Sequence, residues 1–157
     1  MKKKKTIKIE PKVIQVNHPV LQHKLTLLRD KNITSMIFRQ LVDEMSQLLV
    51  YEAARDIPLM RVPVETPLEK THSPRIANPI MLVAILRAGL GMLSGMMKMM
   101  PFASVGHIGI YKDRFVQATV EYYLRLPKIS KNQIAFLLDP MLATGDTACA
   151  ALDRLKE

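Results

Sequence analysis

The chain has one cysteine, Cys149, so no intrachain disulfide can form. It has no long uncharged apolar run. The greasiest stretch, residues 79–101, is broken by Arg87, Lys98 and three glycines, and a charge near its middle argues against a membrane span. A secretory leader is not expected, because Lys2 to Lys5 run into Ile7, Lys8, Ile9 and Glu10 in place of an apolar core. The four histidines, His18, His23, His72 and His107, lack metal-ligand spacing. His18 and His23 stand five apart, which does not put them on one helical face. No glycine-lysine-serine or glycine-lysine-threonine occurs, so a P-loop lysine is excluded. These absences make a cytoplasmic globular protein with no membrane partner the default expectation.

The 157 residues suit one domain, and 48% hydrophobic with 24% charged residues is ordinary for a globular chain. Four of the nine net positive charges are Lys2 to Lys5, which leaves +5 for the rest. Residues 1–12 read as a basic, disordered tail and residues 13–157 as the folded domain. Nothing aromatic interleaves with the lysines, so no nucleic-acid partner is expected. A moderate positive excess suits phosphorylated ligands.

Apolar residues at helical intervals predict a helix from Val20 to Arg29, started by Asn17, His18 and Pro19. A longer helix follows, capped by Thr34 or Ser35 and fading near Pro58. Its expected buried stripe is Ile37, Phe38, Leu41, Val42, Met45, Leu48 and Leu49. Residues 59–78 carry too many prolines for a central strand and read as an exposed excursion with one arm of an irregular hairpin. Ile80 to Leu86 is uninterruptedly apolar, as in a strand covered on both faces. A helix from Met92 to Met100 follows it. Strands are expected at Val105 to Tyr111, Thr119 to Leu126 and Ile134 to Leu138, and a last helix near Asp146. This order predicts an α/β fold, a mostly parallel sheet flanked by helices.

Two polar loops then lie at strand ends, where such sheets bind ligands. Arg87 follows seven apolar residues directly, and its planar fork suits a phosphate or pyrophosphate. Taken alone, an arginine that reaches solvent or pairs with Asp or Glu is the commoner case. The second loop runs from Asp139 through Ala143, Thr144, Gly145, Asp146 and Thr147 into a helix. A helix start of this kind offers unpaired N–H groups and a favourable dipole to an anion. Plain capping chemistry would use the same residues. Gly89, Gly91 and Ser94 fail a dinucleotide fingerprint by one position. Gly91 and Gly95, four apart, are better read as permitting close helix packing. The methionines from Met92 to Met100 read as gap-filling core and interface residues.

Asp139, Pro140, Met141, Leu142, Ala143, Thr144 and Gly145 together are similar to the phosphoribosyl-pyrophosphate (PRPP) loop of uracil phosphoribosyltransferases. Ile85 to Met92, with Arg87, Ala88 and Gly89, resembles that family's pyrophosphate loop. His18 and Pro19, Leu49 to Ala53, and Gly109 to Lys112 extend the resemblance, which is nearly continuous from Val13 to Glu157. It implies a type I phosphoribosyltransferase fold and the reaction of uracil with PRPP to UMP and pyrophosphate. It implies Mg²⁺ carried on PRPP with no direct protein ligand, and a homodimer or higher homo-oligomer. On this resemblance Asp139 and Arg87 are the catalytic residues. PRPP is bound by Arg87, Ala88, Gly89, Lys112 and the loop from Asp139 to Thr147: Pro140, Met141, Leu142, Ala143, Thr144, Gly145 and Asp146 included.

Three departures from the family pattern bear on this expectation. Lys112 stands where the family has arginine, which keeps the charge and loses the fork, with Arg114 as a nearby substitute. Asp146 stands where glycine is common, and a carboxylate beside a phosphate is unfavourable unless turned away. Finally, the family continues beyond the helix in which this chain stops, with further strands and a uracil-recognising segment. The domain is therefore expected to be incomplete at its C-terminus, its uracil-binding residues unknown, its PRPP binding weak and its uracil selection lost. A non-catalytic PRPP- or nucleotide-binding module is the alternative.

Overall fold

The computed structural model describes residues 12–112 and 119–157, so the lysine run lies outside the described residues. Helix α1 (Pro19–Leu28) starts as expected. Pro19 takes a first-turn position where its missing N–H costs nothing. Nδ1 of His18 accepts a hydrogen bond from the Val20 N–H at 3.3 Å. Helix α2 (Ser35–Ala53) is capped by Thr34, whose Oγ1 accepts from the Ile37 N–H at 3.3 Å.

The buried face of α2 is not the predicted stripe. Ile37 and Phe38 are exposed, and the buried residues are Leu41, Ser46 and Val50. The reason lies in helix α3 (Leu90–Met99), which begins two residues earlier than expected. A Cβ on its Gly95 would stand 2.1 Å from the Asp43 carbonyl oxygen, and one on Gly91 would stand 3.3 Å from Cγ1 of Val42. Two helices this close leave room only for a small residue at the crossing, and Ser46 fills it. Its buried hydroxyl donates to the Val42 carbonyl at 2.6 Å. Periodicity identified a helix here, but the partner's glycines chose which face it buries. Ion pairs pin the layer: Lys24 of α1 to Glu44 of α2, and Lys98 of α3 to Asp43 of α2 at 2.7 Å. The Lys98 ammonium, hydrogen-bonded to it, holds the Asp43 carboxyl below its ordinary pKa.

The proline-rich excursion is a separate antiparallel hairpin, β1 (Leu59–Glu65) with β2 (Lys70–Ile76). Its ladder is regular from Leu59 opposite Ile76 to Glu65 opposite Lys70, not irregular as expected. Each strand has a single neighbour, so Pro63 and Pro74 sit where no second ladder needs their N–H.

The main sheet has the order β5-β4-β3-β6, with β3 (Ile80–Leu86), β4 (Ser104–Lys112), β5 (Thr119–Arg125) and β6 (Ile134–Leu138). β3 runs parallel to both β4 and β6, and β5 is antiparallel to β4. The sheet is thus mixed and mostly parallel. β3 is buried from Ile80 to Ile85. On one face Leu82 and Ala84 pack with Val50, Leu93 and Met96. On the other, Met81, Val83 and Ile85 pack with Ile108, Ile110 and Ala151 of helix α4 (Asp146–Lys156). Each such large side chain contributes about 1.5–3 kcal/mol relative to leaving it exposed. The methionines divide: Met96 and Met100 are core, whereas Met97 and Met99 are exposed. The apolar run of β6 suggests a buried strand, but Ala135 is exposed and only Leu138 is fully buried, because among the described residues β6 has a hydrogen-bonded neighbour on one side only. No helix among the described residues is long and apolar enough to cross a membrane.

From β3 the chain crosses through α3 to β4 on one side, while β6 pairs on the other. The loops after β3 and β6 therefore leave neighbouring parallel strands in different directions, and a crevice opens at their carboxyl ends.

Candidate active site

The pairing of Ala84 with Leu138 brings the two sequence-predicted loops to the same sheet end. They touch through backbone at Gly89. A Cβ there would lie 2.5 Å from the Leu138 carbonyl oxygen and 2.8 Å from both the nitrogen and the oxygen of Ile85. The Gly89 N–H donates to the Ile85 carbonyl at 2.8 Å, and the Gly89 carbonyl accepts from Leu93 at 3.1 Å, so the turn runs straight into α3. The Leu86–Arg87 peptide is cis. Arg87 and Ala88 are exposed and Gly89 is buried. The Arg87 carbonyl accepts from the Leu90 N–H at 3.2 Å, while its guanidinium makes no hydrogen bond or ion pair with any other described residue and so is available to an anion.

Across the crevice, Asp139 is half-buried at the end of β6. Its Oδ1 accepts from the Met141 N–H at 3.3 Å, which folds the loop back on itself. Pro140 contributes no N–H. Met141, Leu142, Ala143 and Thr144 are exposed. Gly145 has φ +84°, the left-handed region, with nothing within 4 Å of where a Cβ would be. No side chain of Gly145 can cap α4, so the helix's first turn presents N–H groups without intrahelical acceptors. Thr144 Oγ1 accepts from the Asp146 N–H at 3.5 Å, a long contact that leaves its own proton free to donate. Asp146 lies in the first turn, and Arg154 and Lys156 in the last, as the helix dipole favours. Thr147 is half-buried beside Asp146. Lys112 ends β4, but its side chain lies outside the described residues, as does Arg114.

A cleft of about 520 Å³ opens beside Arg87, lined also by Leu86, Ile110, Tyr111 and Tyr122. The two tyrosines were not singled out from the sequence. The signal was there in the adjacent Tyr122 and Tyr123, which break the alternation of that strand. A larger cleft of about 740 Å³ lies at the opposite end of the sheet, between the hairpin and the starts of β3, β4 and β6. Within it Gln133 donates to Ser104 Oγ at 3.2 Å and accepts from the Ser130 N–H at 2.8 Å. It lies away from both sequence-predicted loops, whereas the cleft beside Arg87 adjoins the first of them. No three His, Cys, Asp or Glu side chains among the described residues are grouped to hold a metal ion.

Comparison with known proteins agrees with this arrangement. A family model described as uracil phosphoribosyltransferase matches residues 15–157. A uracil phosphoribosyltransferase of Clostridioides difficile is 49% identical over 146 residues, covering 92% of this chain and 70% of that protein. One from Variovorax paradoxus is 48% identical over 143 residues, covering 90% and 68%. One from Bacillus caldolyticus is 47% identical over 147 residues, covering 93% and 70%. A solved protein structure from Aquifex aeolicus superposes with a TM-score of 0.83 at 35% identity, covering 90% of this chain and 68% of that one.

Proposed function

Because the chain belongs to the uracil phosphoribosyltransferase family, we propose that its two touching loops hold the two ends of PRPP while the ribosyl group passes to uracil. The observation that carries this reading is the backbone contact of Gly89 with Leu138, which fixes the distance between a free arginine and a helix N-terminus.

In this reading the first-turn N–H groups of α4 and the hydroxyls of Thr144 and Thr147 bind the 5′-phosphate. Gly145, in its left-handed conformation, turns the backbone so that these donors converge. Asp139 accepts hydrogen bonds from the ribose hydroxyls and fixes the sugar. Arg87, with Ala88 and Gly89 beneath it, binds the pyrophosphate. The bond from ribose C1 to the pyrophosphate oxygen breaks, its electrons leave with the pyrophosphate, a ring nitrogen of uracil forms the new bond to C1, and the proton that nitrogen carried passes to the leaving pyrophosphate or to water. Negative charge grows on the leaving group, and the guanidinium offsets it where it develops. No protein nucleophile is required, so positioning and electrostatics supply the rate.

Mg²⁺ fits this donor set as an ion brought by the substrate. It takes oxygen ligands and commonly uses one or two carboxylates plus substrate phosphates, and Asp139 is the carboxylate between the loops. Bound there, it would neutralise part of the pyrophosphate charge. The exposed Met99 and Phe102 share an apolar surface with Tyr51, which supports a homodimer or higher homo-oligomer.

The test is formation of UMP from labelled uracil and PRPP in the presence of Mg²⁺. In place of the lost uracil selection expected from the sequence, family membership leads this reading to expect UMP formation, falling at least a hundredfold in Arg87→Ala. UMP formation untouched by that substitution would contradict it.

A further inference from the structure

The pairing of β4 with β5 skips one residue. Gly109 pairs with Tyr123, and the next residue, Ile110, pairs with Glu121, so Tyr122 has no partner on β4. It is the extra residue of a β-bulge, a device that bends a strand and re-aims a side chain. The re-aimed ring is seated on Gly109: a Cβ at that position would lie 2.7 Å from both Cε2 and Cζ of Tyr122. Any larger residue at position 109 would push the ring away. The ring also meets Tyr111, with centroids 6.0 Å apart and planes tilted by 48°. Both rings line the cleft beside Arg87. Tyr122 nevertheless stays 53% exposed, so the bulge serves no core contact. A glycine, a bulge and a second aromatic ring together hold a phenol at the mouth of a cleft whose one charged lining group is a guanidinium without a partner among the described residues.

We propose that Tyr122 is a substrate-binding residue whose hydroxyl donates a hydrogen bond to a pyrophosphate oxygen held by Arg87, while its ring walls the cleft against water. This rests on the reading of Arg87 as the pyrophosphate ligand. A phenol hydroxyl donates a hydrogen bond to an anion without transferring its proton. Hydrogen bonds to an anion are among the stronger ones available, and a neighbouring cation does not compete for the same lone pairs.

The experiment is calorimetric titration of inorganic pyrophosphate with Mg²⁺, and separately of ribose 5-phosphate, into the wild-type chain, Tyr122→Phe and Tyr123→Phe. Tyr122→Phe keeps the ring and the bulge and removes only the hydroxyl. It is expected to weaken pyrophosphate binding about tenfold or more, with ribose 5-phosphate binding and melting temperature unchanged. Tyr123→Phe is expected to change neither affinity. Equal pyrophosphate affinity in wild type and Tyr122→Phe overturns the assignment, and so does an equal loss for ribose 5-phosphate, which would mean that the bulge acts on the whole site. A wild-type chain that does not bind pyrophosphate overturns the Arg87 reading itself, a result distinct from failure of Tyr122 alone.

Discussion

Gly89 lies against Leu138 so tightly that a Cβ on the glycine would stand 2.5 Å from the leucine carbonyl oxygen. The next residue after Leu138 is Asp139. One backbone contact therefore sets the spacing between the loop after β3 and the loop after β6. Gly89→Ala should destabilise the fold by about 1–3 kcal/mol, at the upper end because the obstructing atoms are all backbone. It should weaken PRPP binding as well. Urea denaturation and calorimetry on the same preparation check both, and an alanine variant with wild-type stability and affinity would show that the loops are not coupled there.

The Arg87 side chain is exposed and makes no hydrogen bond or ion pair with a described residue, so replacing it should leave stability within about 0.5 kcal/mol. Arg87→Lys keeps the charge and loses the planar fork. Pyrophosphate affinity should fall about tenfold, while ribose 5-phosphate affinity stays the same. A parallel loss for both ligands would place Arg87 elsewhere in the site.

Gly145→Ala makes the opposite distinction. There is open space for the added methyl, so the cost is conformational only, about 1–2 kcal/mol for an L-residue held at φ +84°. Relaxation of that strain would swing the first-turn N–H groups. Binding of ribose 5-phosphate should weaken and that of pyrophosphate should not, as read by titration with each.

The Asp43–Lys98 pair joins α2 to α3 and should give the fold a defined acid sensitivity. The Asp43 carboxyl has its folded pKa held below the ordinary 3.8 by the Lys98 hydrogen bond. A depressed folded pKa contributes stability above the unfolded pKa and loses it as pH falls through the folded one. Asp43→Asn should therefore be less stable than wild type at pH 7, and the gap should close below pH 3.8. Denaturation midpoints across that range check it; a gap that widens in acid would reverse the sign.

Local signals carried much of this fold. The limits of β3 and β6, the Thr34 cap, the Pro19 helix start and the close packing at Gly91 and Gly95 all follow from neighbours within a few residues. The face that α2 buries did not, because it depends on glycines about fifty positions away on α3. Nor did the partial exposure of β6, which depends on its place at the sheet edge. At the candidate site, Arg87 and the loop from Asp139 to Thr147 stood out through the resemblance of both loops to one family, since each alone also reads as a solvent-reaching arginine or plain capping. Tyr122 was not, since its role in the cleft comes from a skipped pairing with β4 that the strand's own sequence only hints at.

The central claim is that two loops form one clamp, and titration of PRPP against its two halves tests it most directly. If the loops after β3 and β6 hold one ligand between them, PRPP should bind far more tightly than ribose 5-phosphate or pyrophosphate alone, by about a hundredfold or more, because the second contact becomes intramolecular. PRPP that binds no more tightly than the better of its two halves would contradict the account.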